Sequence, residues 1–282
     1  MSTGKNSVRY WRDGVRPLEA MQANFHDHVY CPHSHDAYSF GITDAGAQRF
    51  RCRGAQHVSA AGMVMSFNPD EAHDGRAAAE LGYHYRIVHI GQSVVRDILA
   101  DASDGRSPAL PLFASPVLTD RTLTEALGRL HSALLGSASD LVREELLTTA
   151  VLTMAEHGAT RAPRLRTLAG TQQRAAARRA RAVLDEAPLE PVSARQLAEA
   201  AGYSRFAVYR AFRAEYGMAP SDYQRLVRLR RARRLLTDGV PPGRAAASSG
   251  FADQAHFNRW FKRAYGLTPA IYQRSAGHRN HS

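Results

Sequence analysis

Between His26 and Ile90 the apolar residues come in short runs separated by Gly, Pro and Asp: AYSFGIT, AQRFRCRG, GMVMSFNP and YHYRIVHI. Runs of this length with turn residues between them predict the short strands of a small barrel or sandwich. Near Asp120 the spacing changes. Leu123, Leu127, Leu130 and Leu134 recur every three or four residues up to about Gly136, and Leu141, Leu146, Leu147 and Val151 do the same between Ser139 and His157. Two amphipathic helices are expected there, packed on the β-domain or on a second copy of the chain. Residues 1–24 are polar and predict an arm. Residues 160–173, TRAPRLRTLAGTQQ, have no apolar period and contain Pro, Gly and Thr, which predicts a linker.

Beyond that segment the chain nearly repeats itself. Seven of fifteen positions are identical at an offset of 49, pairing Arg210 with Arg259, Phe212 with Phe261, Tyr216 with Tyr265, Gly217 with Gly266, Pro220 with Pro269, Tyr223 with Tyr272 and Gln224 with Gln273. Each copy reads as helix, tight turn, helix. In the first, Ser193 and Gln196 form a capping-box pattern, Gly202 supplies a turn with positive φ, and Ser204 caps a helix that Gly217 stops. In the second, Asp253 is the cap, with Phe257 and Phe261 facing inward. Between them, SDYQRLVRLRRARRLLTDG predicts one long helix with Tyr223, Leu226, Leu229 and Leu236 inward and Arg228, Arg230, Arg231, Arg233 and Arg234 as candidates for phosphate contact.

Second helices of helix-turn-helix units enter the major groove of DNA, where Arg suits guanine and Asn or Gln suit adenine. The outward positions are Arg205, Phe206, Tyr209, Arg210 and Arg213 in the first copy and Gln254, His256, Asn258, Arg259 and Lys262 in the second. The charge distribution agrees. Residues 164–282 hold 22 of the 37 Lys and Arg but 8 of the 26 Asp and Glu, a surplus of +14, while the rest of the chain stands at −3. Of those 22 basic residues 21 are arginine, which favours bidentate contacts over plain solubility. Cys31 and Cys52, the two cysteines, form no Cys-x-x-Cys pair and are read as buried thiols. The first 17 residues hold no apolar stretch of the secretory kind, and no run is long enough for a membrane span, so a cytoplasmic protein is expected.

LAEAAGYS, SGFADQAHFNRWFKRAYGLTP and the doubled helix-turn-helix together resemble the AraC/XylS family of bacterial transcription regulators, over about residues 170–275. The resemblance implies an all-helical DNA-binding domain at 174–276, with contacts mapping onto Phe206, Tyr209, Arg210, Gln254, Asn258 and Arg259. One departure is GRAAASSG, which has alanines where such helices bury larger aliphatics, so a looser second unit is expected. PHSHDAYSFGITDAGAQRF and GMVMSFNPDEAHDG resemble the cupin-like sensor domain of the same family. That implies an α+β two-domain chain: an arm at 1–24, a cupin-like β-barrel with trailing helices for effector binding and dimerisation at 25–159, a linker at 160–173, the DNA-binding domain, and a tail at 277–282. His33, His35, Tyr38 and His73 are the candidate effector ligands. His33, His35 and His73 could also suggest a metal. Enzymatic metal cupins, however, carry a glutamate four residues after the second histidine, where this chain has Ser39. No catalytic residue, metal or other cofactor is therefore assigned. The expected partners are double-stranded DNA, a small-molecule effector, a second copy of the chain and RNA polymerase, as for a transcriptional activator. The rival is a metal-dependent cupin enzyme fused to a DNA-binding domain.

Overall fold

A computed structural model describes residues 6–80, 82–103, 109–160 and 168–277, and places its first strands inside the segment expected to be an arm. β1 (Ser7–Arg12) pairs antiparallel with β2 (Leu18–Phe25). β1 is an exposed edge strand that buries none of its residues fully, whereas β2 buries Leu18, Ala20, Ala23 and Phe25. Residues 1–5 of the expected arm lie outside the described residues. The chain divides into two units, residues 1–167 and 168–282.

In the first unit the remaining strands are β3 (Val29–His33), β4 (Ala37–Cys52), β5 (Ala55–Ala60), β6 (Val64–Phe67), β7 (His73–Ala77), β8 (Tyr83–Gly91) and β9 (Val117–Leu118). One antiparallel sheet runs β1-β2-β8-β4-β6-β9. β4 is 16 residues long and shifts register between Thr43 and Ala45, so its far half also pairs with β5 and β7, and β7 with β3. This shared, bent strand turns two sheets towards each other around one core. That core is Phe25, Phe50, Phe67, Tyr83, Tyr85, Met65 and Ile87, with Tyr30 against its edge.

The helices of this unit are α1 (Gln92–Ala102), α2 (Arg121–Leu135) and α3 (Asp140–His157). Asp120 and Ser139 cap the latter two through side-chain oxygens. The leucine stripes are used up inside the unit. Leu123, Leu127 and Leu130 are wholly buried, as are Leu134, Leu141, Leu147 and Val151 to within 2%. They are core of this unit, the first of the two placements expected; of the eight, Leu146 alone is half-buried. Cys52 is buried as expected, with burial raising its thiol to about 11, but Cys31 on β3 is exposed because that strand lies at an edge.

α2 docks on the sheet through a polar contact as well as its leucines. His131 is buried and donates Nε2–H to the Met21 carbonyl at 3.1 Å. Burial pushes its pKa down to about 4, with Arg86 and Arg9 acting in the same direction and Asp44 and the Met21 bond against. The folded state thus takes up the proton less readily than the unfolded chain. The stability held above pH 6.5 should therefore be lost as pH falls from about 6.5 to about 4, by about 2 kcal/mol once solvent screening is allowed for. Urea unfolding across this window should show the loss in the parent, and a smaller one in His131→Gln, whose amide can still donate to Met21. Parallel curves for the two proteins would rule this origin out.

The second unit is helical: α4 (Gly170–Glu186), α5 (Ala194–Ala201), α6 (Arg205–Tyr216), α7 (Pro220–Thr237), α8 (Pro242–Ala247), α9 (Gln254–Tyr265) and α10 (Pro269–Gly277). Residues 170–173 of the expected linker are the first turn of α4, and 161–167 lie outside the described residues, as do 278–282 of the expected tail. The local signals act as read. Ser193 and Gln196 complete a reciprocal capping box, Ser204 accepts from the Ala207 amide, and Asp253 accepts from the His256 amide. Gly202 and Gly250 turn the chain at φ +74° and +75° in equivalent places. Gln224 and Gln273 each donate to a carbonyl just before the first helix of their unit, Glu190 at 3.0 Å and Val240 at 2.8 Å.

The alanine-rich helix is closely packed in the second copy. Ala245 is 0% exposed and Ala246 2%, because small residues let α8 come close to a core built from Phe251, Phe257, Phe261, Leu229 and Leu236. The aromatic residues supply the volume that larger aliphatics would give.

Candidate nucleic-acid interface and histidine site

Exposure along α6 and α9 separates the expected contact residues. Arg210 and Arg259, the repeat-related pair, are both exposed, as are Arg213, Gln254 and Lys262. Arg205, Tyr209 and Asn258 are half-buried. Tyr209 receives a hydrogen bond from Arg213 at 3.1 Å, so its hydroxyl and the guanidinium travel together.

Two of the ten expected contacts are corrected. Phe206 is buried, with the Arg210 guanidinium 5.4 Å from its ring centroid. The first turn of α6 faces its own core at this point, so Phe206 serves as a platform for Arg210 and not as a reader. His256 is half-buried and turned along its helix, where Nε2 accepts from the Trp260 indole at 2.8 Å. Burial lowers its pKa, and Arg225 and Arg259 push the same way, so it stays a neutral acceptor.

The long helix also divides its arginines unexpectedly. Arg228 is directed inward: Nε donates to the Pro188 carbonyl at 2.7 Å, Nη1 to Gly250 at 3.0 Å, and Nη2 to Leu189 and Glu190 at 3.1 and 3.2 Å. One guanidinium thus ties the loop before α5 to the turn of the second copy. Arg231 donates to the Ser248 carbonyl at 3.0 Å, and Arg225 lies 3.8 Å from the Trp260 ring centroid. These three join the two copies, which leaves Arg230 and Arg234 as exposed cations without such a task among the expected five, with Arg233 beside Tyr265. Side-chain type alone could not separate them.

In the first unit, three of the four expected effector ligands meet. His33 at the end of β3, His35 in the turn after it and His73 at the start of β7 offer ligand atoms all within 4.8 Å of one another. Their tautomers are fixed by backbone: His33 donates Nδ1–H to the Cys31 carbonyl at 2.8 Å, and His73 donates Nδ1–H to the Glu71 carbonyl at 2.9 Å. Phe67 stacks on His73 with centroids 3.8 Å apart and planes 3° from parallel. The loop carrying His73 is itself pinned, since the Glu71 carboxylate pairs with Arg53 and accepts from the Asn68 amide.

Tyr38 is corrected. It points to the other face of β4, where its hydroxyl donates to the Pro111 carbonyl at 2.8 Å and its ring packs on Phe113. Its neighbour Ser39 faces the histidines instead. Ser39 Oγ lies 2.8 Å from Nδ1 of His89, a fourth imidazole whose ring is 4.3 Å from His35. His89 was missed in the sequence, although Tyr83, Tyr85, Ile87 and His89 share one face by the two-residue period of β8. Burial pushes His73 down to about 4 and His89 to about 3, and His35 is lowered by burial and by His33.

Comparison with known proteins agrees with both units. Residues 17–151 match the AraC-like ligand binding domain and residues 197–275 match a helix-turn-helix domain. The Bacillus subtilis (strain 168) protein described as an uncharacterized HTH-type transcriptional regulator, YbfI, is 27% identical over 225 residues, 79% of this chain and 80% of its own. The HTH-type transcriptional regulator GlxA of Rhizobium meliloti (strain 1021) is 37% identical over 90 residues, covering 31% of this chain and 27% of that protein. Among solved structures, a probable AraC family transcriptional regulator from Rhodopseudomonas palustris CGA009 is 29% identical over 36% of this chain and 96% of its own, with a TM-score of 0.34. The chain belongs to the AraC family: it is a DNA-binding transcriptional regulator with a cupin-like ligand-binding domain followed by two helix-turn-helix units.

Proposed function

We propose that this regulator reads base edges with α6 and α9 in successive major-groove turns and answers to a small-molecule effector at the histidine-lined end of its barrel. The observation that carries the DNA reading is the equivalence of the two helices: each is capped by a side-chain oxygen, each follows a positive-φ glycine, and each leaves the same arginine of the repeat exposed. Arg210 and Arg259 are the first contacts in this reading, with Arg205, Tyr209, Arg213, Gln254, Asn258 and Lys262 around them. Adjacent grooves on one face of the duplex lie roughly 34 Å apart.

The effector site in this reading is His33, His35 and His73, supported by their convergence at an end of a ring-filled barrel. A cytoplasmic homodimer that regulates rather than catalyses, engages RNA polymerase and activates transcription belongs to the same reading, on the strength of the family. No helix among the described residues is long and apolar enough to cross a membrane.

Gel-shift titration on a sequence selected from random DNA tests the contacts. Arg210→Ala and Arg259→Ala should each weaken specific binding by about 1–3 kcal/mol, about 5- to 150-fold, and relax the preference at the base each one meets. Unchanged affinity in both variants would remove α6 and α9 as the reading helices.

A further inference from the structure

We propose that His33, His35 and His73 bind one divalent first-row transition-metal ion of the zinc class at the end of the barrel. The proposal deepens the effector-site reading above, and rests on it for its regulatory meaning only. The ligand atoms already stand within 4.8 Å of one another, with ring centroids 4.5–5.4 Å apart. Zinc–nitrogen bonds of about 2.0–2.1 Å in tetrahedral geometry need nitrogens roughly 3.4 Å apart, so a modest closing of the three rings is enough.

The arrangement around the rings favours ligation over simple packing. A metal-binding histidine typically donates its second nitrogen to a carbonyl, which fixes the tautomer and aims the lone pair. His33 and His73 both do this through Nδ1, leaving Nε2 as the donor. The stack of Phe67 on His73 holds that ring's plane. Ser39, standing where a ligand glutamate would follow a His-x-His pair, instead approaches Nδ1 of His89 and so keeps a fourth imidazole beside His35.

Donor chemistry sets the ion. Three neutral imidazoles suit Zn2+, Co2+, Ni2+ or Cu2+ and not Mg2+ or Ca2+, which prefer oxygen. The imidazoles leave the ion's charge uncancelled. Three carboxylates act on the cluster: Glu19, the cross-strand partner of His89, which also pairs with Arg12 at 3.4 Å, Asp36 beside His35, and Glu71 beside His73. Three protein ligands also leave a coordination position open, which a carboxylate or hydroxyl oxygen of an effector can fill.

Full-length protein stripped with a chelator and titrated with Zn2+ in a calorimeter should bind one ion per chain at this site, and Co2+ should give the visible spectrum of a nitrogen-ligated centre. A His33→Ala/His35→Ala double variant should bind at least about 100-fold more weakly and lose any Zn2+-dependent rise in Tm, while circular dichroism confirms its fold. A second variant, His278→Ala/His281→Ala, removes the tail histidines as competitors and should bind like the parent. Absence of binding, or binding that survives in the His33/His35 variant, overturns the proposal. Gel shifts with and without Zn2+ separate the two readings: a changed DNA affinity supports both, and stoichiometric binding with unchanged affinity keeps the ion and overturns this barrel end as the effector site.

Discussion

Arg228→Ala is expected to destabilise the C-terminal unit by about 3 kcal/mol and to weaken specific DNA binding even though its guanidinium is spent on backbone carbonyls. The guanidinium is half-buried and donates to four carbonyls, at Pro188, Leu189, Glu190 and Gly250. Hydrogen bonds involving a charged group contribute about 1.5–3 kcal/mol each, but the carbonyls near the surface recover water once the donor is gone, so the net loss is well below their sum. Desolvation lowers the Arg228 pKa, with neighbouring Arg225 adding to it, and both record the cost of holding this charge inside. Lysine offers a point charge without the fork, so Arg228→Lys should restore less than half of the loss. Urea unfolding measures the first effect and a gel shift the second. The bridge would be refuted by a cost below about 1 kcal/mol together with unchanged binding, because the second turn would then hold its place without the arginine.

Arg228 also shows where sequence reading ends. Caps and turn glycines were legible because their requirement is local: Ser193, Ser204, Asp253, Gly202 and Gly250 act within a few residues of themselves. The barrel and the paired reading units were legible through period and repeat. Which face an individual residue takes was not legible wherever both faces are covered. Ser39 and Tyr38 are both buried on β4, one towards the histidines and one towards Phe113, so alternation alone could not assign them. β8 buries Val88 and Ile90 on one side and Tyr83 and Tyr85 on the other, which hid His89 in an apolar run. Phe206 and His256 were not legible for a related reason: the first turn of each second helix lies between core and solvent, and an aromatic residue there can face either. β1 was not legible because it is a short edge strand whose apolar residues, Val8 and Tyr10, are exposed and not core.

Phe212→Ala and Phe261→Ala should each cost about 3–5 kcal/mol, and the two costs should agree within about 1 kcal/mol. Both rings are 0% exposed, so each truncation opens a cavity that neighbouring helices can only partly close. The surroundings match closely. Phe212 lies 4.7 Å from Tyr216 and 5.6 Å from Tyr223, with interplanar angles of 60° and 68°; Phe261 lies 4.6 Å from Tyr265 and 5.6 Å from Tyr272, at 58° and 68°. Even the outer partners correspond, since Tyr223 donates to Asp185 while Tyr272 meets Thr237 at 3.3 Å. The alanines of α8 had suggested a second copy held less firmly than the first. Two ring distances from the central phenylalanine that repeat to 0.1 Å argue that the aromatic residues, and not the first helix of each copy, set its rigidity. Chemical unfolding of both variants in the full chain decides between these views. If Phe261→Ala cost under about 1.5 kcal/mol while Phe212→Ala cost its full amount, the second copy would be the looser one after all, and α9 would meet DNA from a less fixed position than α6.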